Sequence, residues 1–244
     1  MLTNNILEIY NWSLISSTQS FSKDPWSGLS LEYKSHWPIH LFISPEIIEQ
    51  YNKLFRFLFP LRRVQIDLQN DWKNLNLIYD EFDESEMRFV MAMRARLNSF
   101  INNIMSYLQL DVIETQWYKL CKGIEKCEDF EEARKLHDNY LATVTNKFFL
   151  SMQRIMKTMQ DMSHLIMKFS MHCKLIVEEA NKRLDKRNFE IEPREEEQSK
   201  RLPYKISKEI MDIKDEFNII SKLIFKILNK RKGVDNSTFL SQLF

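Results

Sequence analysis

Apolar residues recur at steps of three and four along most of this chain, the spacing that turns one face of an α-helix toward a core. The first such stripe is Ile47, Tyr51, Leu54, Phe55, Leu58, Leu61, Leu68 and Trp72, opposed by Glu49, Asn52, Lys53, Arg56, Arg63 and Asp67. Ser44-Pro45-Glu46 supplies its start: a serine to cap, a proline whose missing N–H costs nothing in the first turn, and an acid facing the helix dipole. A helix from residue 45 to about 79 is predicted, kinked near 56–60, where Pro60 removes a backbone hydrogen bond. After the acidic run DEFDESE (80–86), a second stripe of Met87, Val90, Met91, Arg94, Leu97, Ile101, Ile104, Met105 and Leu108 predicts a helix to about 110. A third helix is expected over about 111–126. Asp129, with Glu132 three residues on, forms a capping-box start for a fourth. Its pattern persists to about 186, too far for one ordinary helix, so a break is expected at a place the sequence does not mark. A last helix, 204–230, carries Ile206, Ile210, Ile213, Phe217, Ile220, Leu223, Ile224 and Ile227. KRKG closes it, with cations in the last turn and Gly233 beyond.

A period of two shows only near the N-terminus. Leu29, Leu31 and Tyr33 alternate with polar residues, as do Trp37, Ile39 and Leu41, which predicts two short strands forming a hairpin. Pro38 assigns the second to an edge, because it cannot donate to a ladder. Residues 1–24 hold neither period and are expected to be loosely structured. Residues 185–203 (DKRNFEIEPREEEQSKRLP) combine charges, two prolines and few apolar residues, and are expected to form a mobile charged loop. The expected fold is thus all-α: an antiparallel multi-helix bundle with a short N-terminal β-hairpin, built as one helical domain from 25–184 and 204–244.

Composition agrees with long helices joined by few turns, since 244 residues hold only three glycines and six prolines. The formal net charge of +1 lacks the basic excess of a nucleic-acid binder, so a charged partner must meet a local patch. Three scattered cysteines suit a reducing compartment, and neither a signal peptide nor a run of about 18 uncharged apolar residues is present. A cytosolic or nuclear protein, bound to neither nucleic acid nor membrane, is the expectation.

Candidate chemistry is sparse. No glycine-rich phosphate loop occurs, which argues against a nucleotide cofactor. Cys121 and Cys173 lack a paired base and read as structural thiols. His137-Asp138 resembles a metal-hydrolase doublet, but the further ligands are missing, and His36, His40, His164 and His172 read as ordinary surface or core residues. No catalytic residue and no metal site is therefore assigned. Met152, Met156, Met159, Met162, Met167 and Met171 follow the helical stripe and read as core filler ahead of an adaptable recognition surface. Arg62 and Gln65 fall beside Leu58, Leu61 and Leu68 on a straight helix. Either they are buried with partners, or the Pro60 kink returns Arg62 to solvent. Lys53, Arg56 and Arg63 line the polar face, where they either meet an acidic partner or form a solvated face with Glu49 pairing Lys53.

Residues 26–72, WSGLSLEYKSHWPIHLFISPEIIEQYNKLFRFLFPLRRVQIDLQNDW, resemble the pattern shared by gamma-tubulin complex components in their C-terminal domain. YLQLDVIETQW (107–117) and DFEEARKLHDNYL (129–141) resemble later segments of the same family, in the same order. The resemblance implies a helical domain that binds gamma-tubulin and has no catalytic activity, the GTP belonging to gamma-tubulin, with other gamma-tubulin complex components as further partners. It implies a place in the cytoplasm at a microtubule-organising centre, whether centrosome or spindle pole. On this reading His137-Asp138 is a family motif with a packing or recognition role. Lys53, Arg56 and Arg63, with the adjoining Lys34 and His36, are the expected contact residues. Three departures stand out: the family's N-terminal lateral-contact domain has no counterpart here, Pro60 takes a position usually apolar or basic, and the ending NSTFLSQLF stops before an "RLDFN"-like segment. The chain is therefore expected to hold gamma-tubulin without building a ring. The competing expectation is a helical adaptor that self-associates or binds another partner.

Overall fold

The computed structural model describes residues 12–16, 29–34, 37–150, 152–189 and 200–231. Among these described residues, apart from two five-residue strands, the regular structure is helical. β1 (Trp12–Ser16) and β2 (Leu29–Tyr33) pair antiparallel with Leu14 opposite Leu31. The alternation at 29–33 thus does form a strand, but its partner lies upstream, inside the segment expected to be loose. Trp37–Leu41 is not the second strand. It is a turn that tightens into a single 3-10 turn, Ile39–Leu41, closed by Leu41 N–H to Pro38 C=O at 3.1 Å and Phe42 N–H to Ile39 C=O at 2.9 Å. Three alternating apolar residues do not distinguish a strand from one helical turn, and Pro38 fits the start of such a turn without losing a hydrogen bond.

Helix α1 (Pro45–Leu77) runs unbroken through Pro60. Its buried apolar residues are Ile47, Leu54, Leu61, Leu68 and Leu75, with Phe57 and Val64 between them, a seven-residue repeat with a second position interleaved. The stripe expected from sequence is therefore rotated: Phe57, Val64 and Leu75 belong to it, whereas Trp72 stands half in solvent. Asp83 caps α2 (Glu84–Ser106), its Oδ2 accepting from the N–H groups of Ser85 and Glu86 at 3.0 and 3.3 Å. From Tyr107 to Glu114 the backbone is π-helical and continues directly into α3 (Thr115–Ile124), with the Thr115 hydroxyl donating to the Leu110 carbonyl. Gly123 of α3 lies against α4 (Phe130–Lys147), where a methyl group would come 2.8 Å from Leu136 Cδ1 and oblige that side chain to shift. Asp129 caps α4 as expected, with Glu132 N–H donating to Asp129 Oδ1 at 2.7 Å, while the Glu132 carboxylate accepts from Glu128 N–H at 3.4 Å, one residue before the position a capping box uses. The expected break falls at residues 148–152, where Phe149 takes φ 60°, and α5 (Gln153–Phe189) follows. It packs antiparallel to α6 (Tyr204–Arg231). Residues 190–199 of the expected charged loop, the Gly233 cap and the ending 232–244 lie outside the described residues, as does most of 1–24.

The chain divides into two compact units, Met1–Leu61 with Ser106–Met152, and Arg62–Met105 with Gln153–Phe244. In the first, Phe57 meets Phe148 edge-on at 5.8 Å, Tyr107 stacks on Phe149 at 6.2 Å, and Leu120, Leu141 and Val144 are buried. In the second, Phe100 meets Phe217 edge-on at 5.8 Å, and Leu68, Leu97, Ile166, Phe169 and Ile213 are buried. Each fully buried Leu, Ile or Phe contributes about 1.5–3 kcal/mol by leaving water, which is what holds these helices together.

Candidate functional site

In the first unit, the amphipathic start of α1 presents Tyr51 and Asn52 to two different neighbours. Asn52 is 5% exposed, although its sequence position suggested the solvent face. Its carboxamide grips one peptide unit of β2, Oδ1 accepting from Leu31 N–H at 2.6 Å and Nδ2 donating to Leu31 C=O at 3.0 Å. A side-chain amide thus acts as a further strand and fixes β2 against α1. Tyr51 reaches the other way, its hydroxyl 2.9 Å from Nε2 of His137 on α4. His137 is buried, with the Phe42 ring 4.9 Å from its own. Burial holds its pKa below the usual histidine range, against the opposing charge of Asp138, and raises that of the Tyr51 hydroxyl. Both groups are therefore neutral hydrogen-bonding partners, and the doublet's histidine has a packing role.

Between these two fastenings the chain turns outward. Trp37 is 79% exposed, Leu41 55% and Ile39 46%, while the next ring, Phe42, points inward. Of the expected contact residues in this unit, Lys34, Lys53 and Arg56 are exposed, and His36 lies outside the described residues. Arg56 makes a two-pronged pair with Glu49 at 3.1 and 3.2 Å, so Glu49 serves Arg56 and not Lys53. Arg63, half-exposed, lies in the part of α1 that belongs to the second unit.

The second unit holds a different polar centre. Asp71, 2% exposed and inside the buried seam of α1, accepts a hydrogen bond from the Ser170 hydroxyl of α5. Burial pushes its pKa up to about 6, with the Ser170 bond opposing. Arg94, which fell on the apolar stripe of α2, donates through Nη1 to the Leu68 carbonyl at 3.1 Å. Arg62 is in solvent and hydrogen-bonds Gln65, whose amide donates to Asn102 at 2.7 Å. Of the two readings open for that pair, Arg62 takes the solvent one and Gln65 the partnered one. Cys173 is buried and its thiol raised by that burial, so it is inert. His172 is buried with Nε2 3.4 Å from Glu209. Met159 and Met162 are core, whereas Met171 is 53% exposed. Among the described residues no three His, Cys, Asp or Glu side chains gather as metal ligands, and no helix is long and apolar enough to cross a membrane.

Residues 7–244 match the family described as gamma tubulin complex component C-terminal. The chain belongs to that family. It is 25% identical over 242 residues to gamma-tubulin complex component 4 of Arabidopsis thaliana, covering 91% of this chain and 29% of the relative. It is 30% identical over 155 residues to gamma-tubulin complex component 4 of Homo sapiens, covering 62% and 22%. Spindle pole body component alp6 of Schizosaccharomyces pombe is 30% identical over 141 residues, 54% and 17%. The chain thus spans less than a third of the length of each of these relatives. The segments that carried the resemblance turn out to be physically joined in this family member: the strand residue Leu31 to Asn52, and Tyr51 to His137. Sequence reading placed both helix residues on amphipathic faces and missed the pairing. The adjacency of Tyr51 and Asn52 within the quoted pattern was its only signal.

Proposed function

We propose that this chain is a gamma-tubulin-binding structural module of a gamma-tubulin complex, acting with other complex components at a microtubule-organising centre such as a centrosome or spindle pole. The family match over residues 7–244 carries this reading. The architecture suits a role in holding a partner: the first unit sets exposed Lys34, Lys53 and Arg56 around a fastened strand and helix start, and Arg63 lies further along α1. Tubulins are acidic, so such cations raise the rate and fix the orientation of encounter more than they add affinity. The same chemistry gives the module no catalytic part, the GTP belonging to gamma-tubulin. Purified chain should retain purified gamma-tubulin in a pull-down at low salt, and Lys53→Glu with Arg56→Glu should weaken retention while leaving helicity unchanged. No retention by the native chain contradicts the proposal.

A further inference from the structure

On α6 the residues that face away from the core carry their charges in two separated groups. Ile210, Ile213, Phe217 and Ile224 are buried. The neighbouring helices meet α6 on its flanks, α5 where Lys168 and His172 approach Glu209, and α2 where Arg96 bonds Asn218 and lies over the Phe217 ring. Between those flanks the outer face is exposed. Along it an acidic group, Asp212, Asp215 and Glu216, is followed by Ile219 and then by Lys222, Leu223 and Lys226. Lys208 precedes the acids by one turn. Asp212, Ile219 and Lys226 are seven residues apart, as are Asp215 and Lys222, and Glu216 and Leu223, so they share one stripe along the helix. Ile219 stands at its middle, 68% exposed.

Within one chain this order of charges is unfavourable. Asp212 and Glu216 are four residues apart, as are Lys222 and Lys226, so each meets a like charge across one turn of the helix. None of these four, nor Asp215, forms an ion pair among the described residues. A two-fold axis through Ile219 makes the same order favourable. In an antiparallel pair of α6 helices, residues equally far on either side of position 219 meet. Asp212 of each chain then faces Lys226 of the other, Glu216 faces Lys222, and Ile219 meets its own copy with Leu223 beside it. With Lys208 counted, the face holds three acids and three lysines, so net charge selects no partner. The order of the charges does select one, a surface carrying the reverse order, and this face turned end for end is such a surface. We propose that the chain self-associates as a two-fold dimer through the outer face of α6, with Ile219 at the axis. The dimer does not rest on the gamma-tubulin contact proposed above, whose Lys34, Lys53 and Arg56 belong to the other unit.

Sedimentation equilibrium of the native chain over a range of concentrations, at low and at high salt, tests this directly. A monomer–dimer equilibrium that weakens as salt rises is expected. Two variants then test the order of charges. Lys222→Glu/Lys226→Glu leaves acids on both sides of Ile219, and Asp212→Lys/Glu216→Lys leaves lysines on both sides. All four positions are exposed, so circular dichroism should show unchanged helicity. Each variant alone is expected to dimerise at least about tenfold more weakly than the native chain, and an equal mixture of the two to recover dimerisation as a heterodimer. A native chain that stays monomeric at low salt overturns the proposal, as does a dimer indifferent to salt. Variants that dimerise as the native chain does overturn it by placing the contact elsewhere, and so does a mixture that stays as weak as its components. If either variant loses helicity, Ile219→Ser at the axis takes its place, and native-like dimerisation by that variant overturns the proposal.

Discussion

Asn52 and Asp71 lie on the same helix, and both are polar residues that burial turned from surface decoration into fasteners. Replacing Asn52 by Ala removes both hydrogen bonds to Leu31, and at about 1 kcal/mol net for each the chain should lose about 2 kcal/mol in urea unfolding followed by circular dichroism. A loss below about 0.5 kcal/mol would mean that water replaces the clamp. Asp71 makes a prediction in pH. Its pKa is about 6 when folded against the ordinary 3.8, so the folded state holds its proton more tightly than the unfolded chain does. Stability from this group is full below about pH 4 and falls as pH rises through 6, by about 3 kcal/mol. Asp71→Asn keeps a partner for Ser170 and cannot ionise. It should therefore be the more stable protein at pH 7 and lose that advantage by pH 4, and parallel stability curves would contradict the assignment. His137 and His172, lowered by burial, act in the opposite sense, weakening the fold as pH falls through 6.5.

At the scale of elements, legibility followed locality. The starts at Ser44-Pro45-Glu46 and Asp129, and the span of α6, depend on neighbours within one turn and were readable directly. The pairing of β2 with Trp12–Ser16 depends on residues 13 to 21 positions away, and no alternating pattern identifies its partner. The α4–α5 break was foreseen in existence and not in place, because residues 148–152 carry neither Gly nor Pro. There the burial of Phe148 and Phe149 outweighs the cost of a left-handed backbone, about 1–2 kcal/mol for a side chain of this kind. Phe149→Gly and Phe149→Ala both lose the stacking on Tyr107, but glycine also relieves φ 60°. The glycine variant should be the more stable of the two by about 1 kcal/mol, measured by thermal unfolding, and equal stabilities would show that the backbone at 149 is not strained.

For the molecule as a whole, the helical class was readable from periodicity alone, while the proposed partner came only from the segments resembling the gamma-tubulin complex component family. The division into two units was not readable, because α1 and the α2–π–α3 helix each pass through it without any change in pattern. Of the expected contact residues, cationic identity was legible but engagement was not: Arg56 is committed to Glu49 seven residues away, two turns along the helix, where the usual four-residue rule pointed to Lys53. The central claim is tested most directly by the equilibrium affinity of purified native chain for purified gamma-tubulin, measured at low and at physiological salt. Saturable binding that weakens with salt, and weakens further in Lys53→Glu/Arg56→Glu, is the predicted result. Absence of saturable binding at low salt would contradict it.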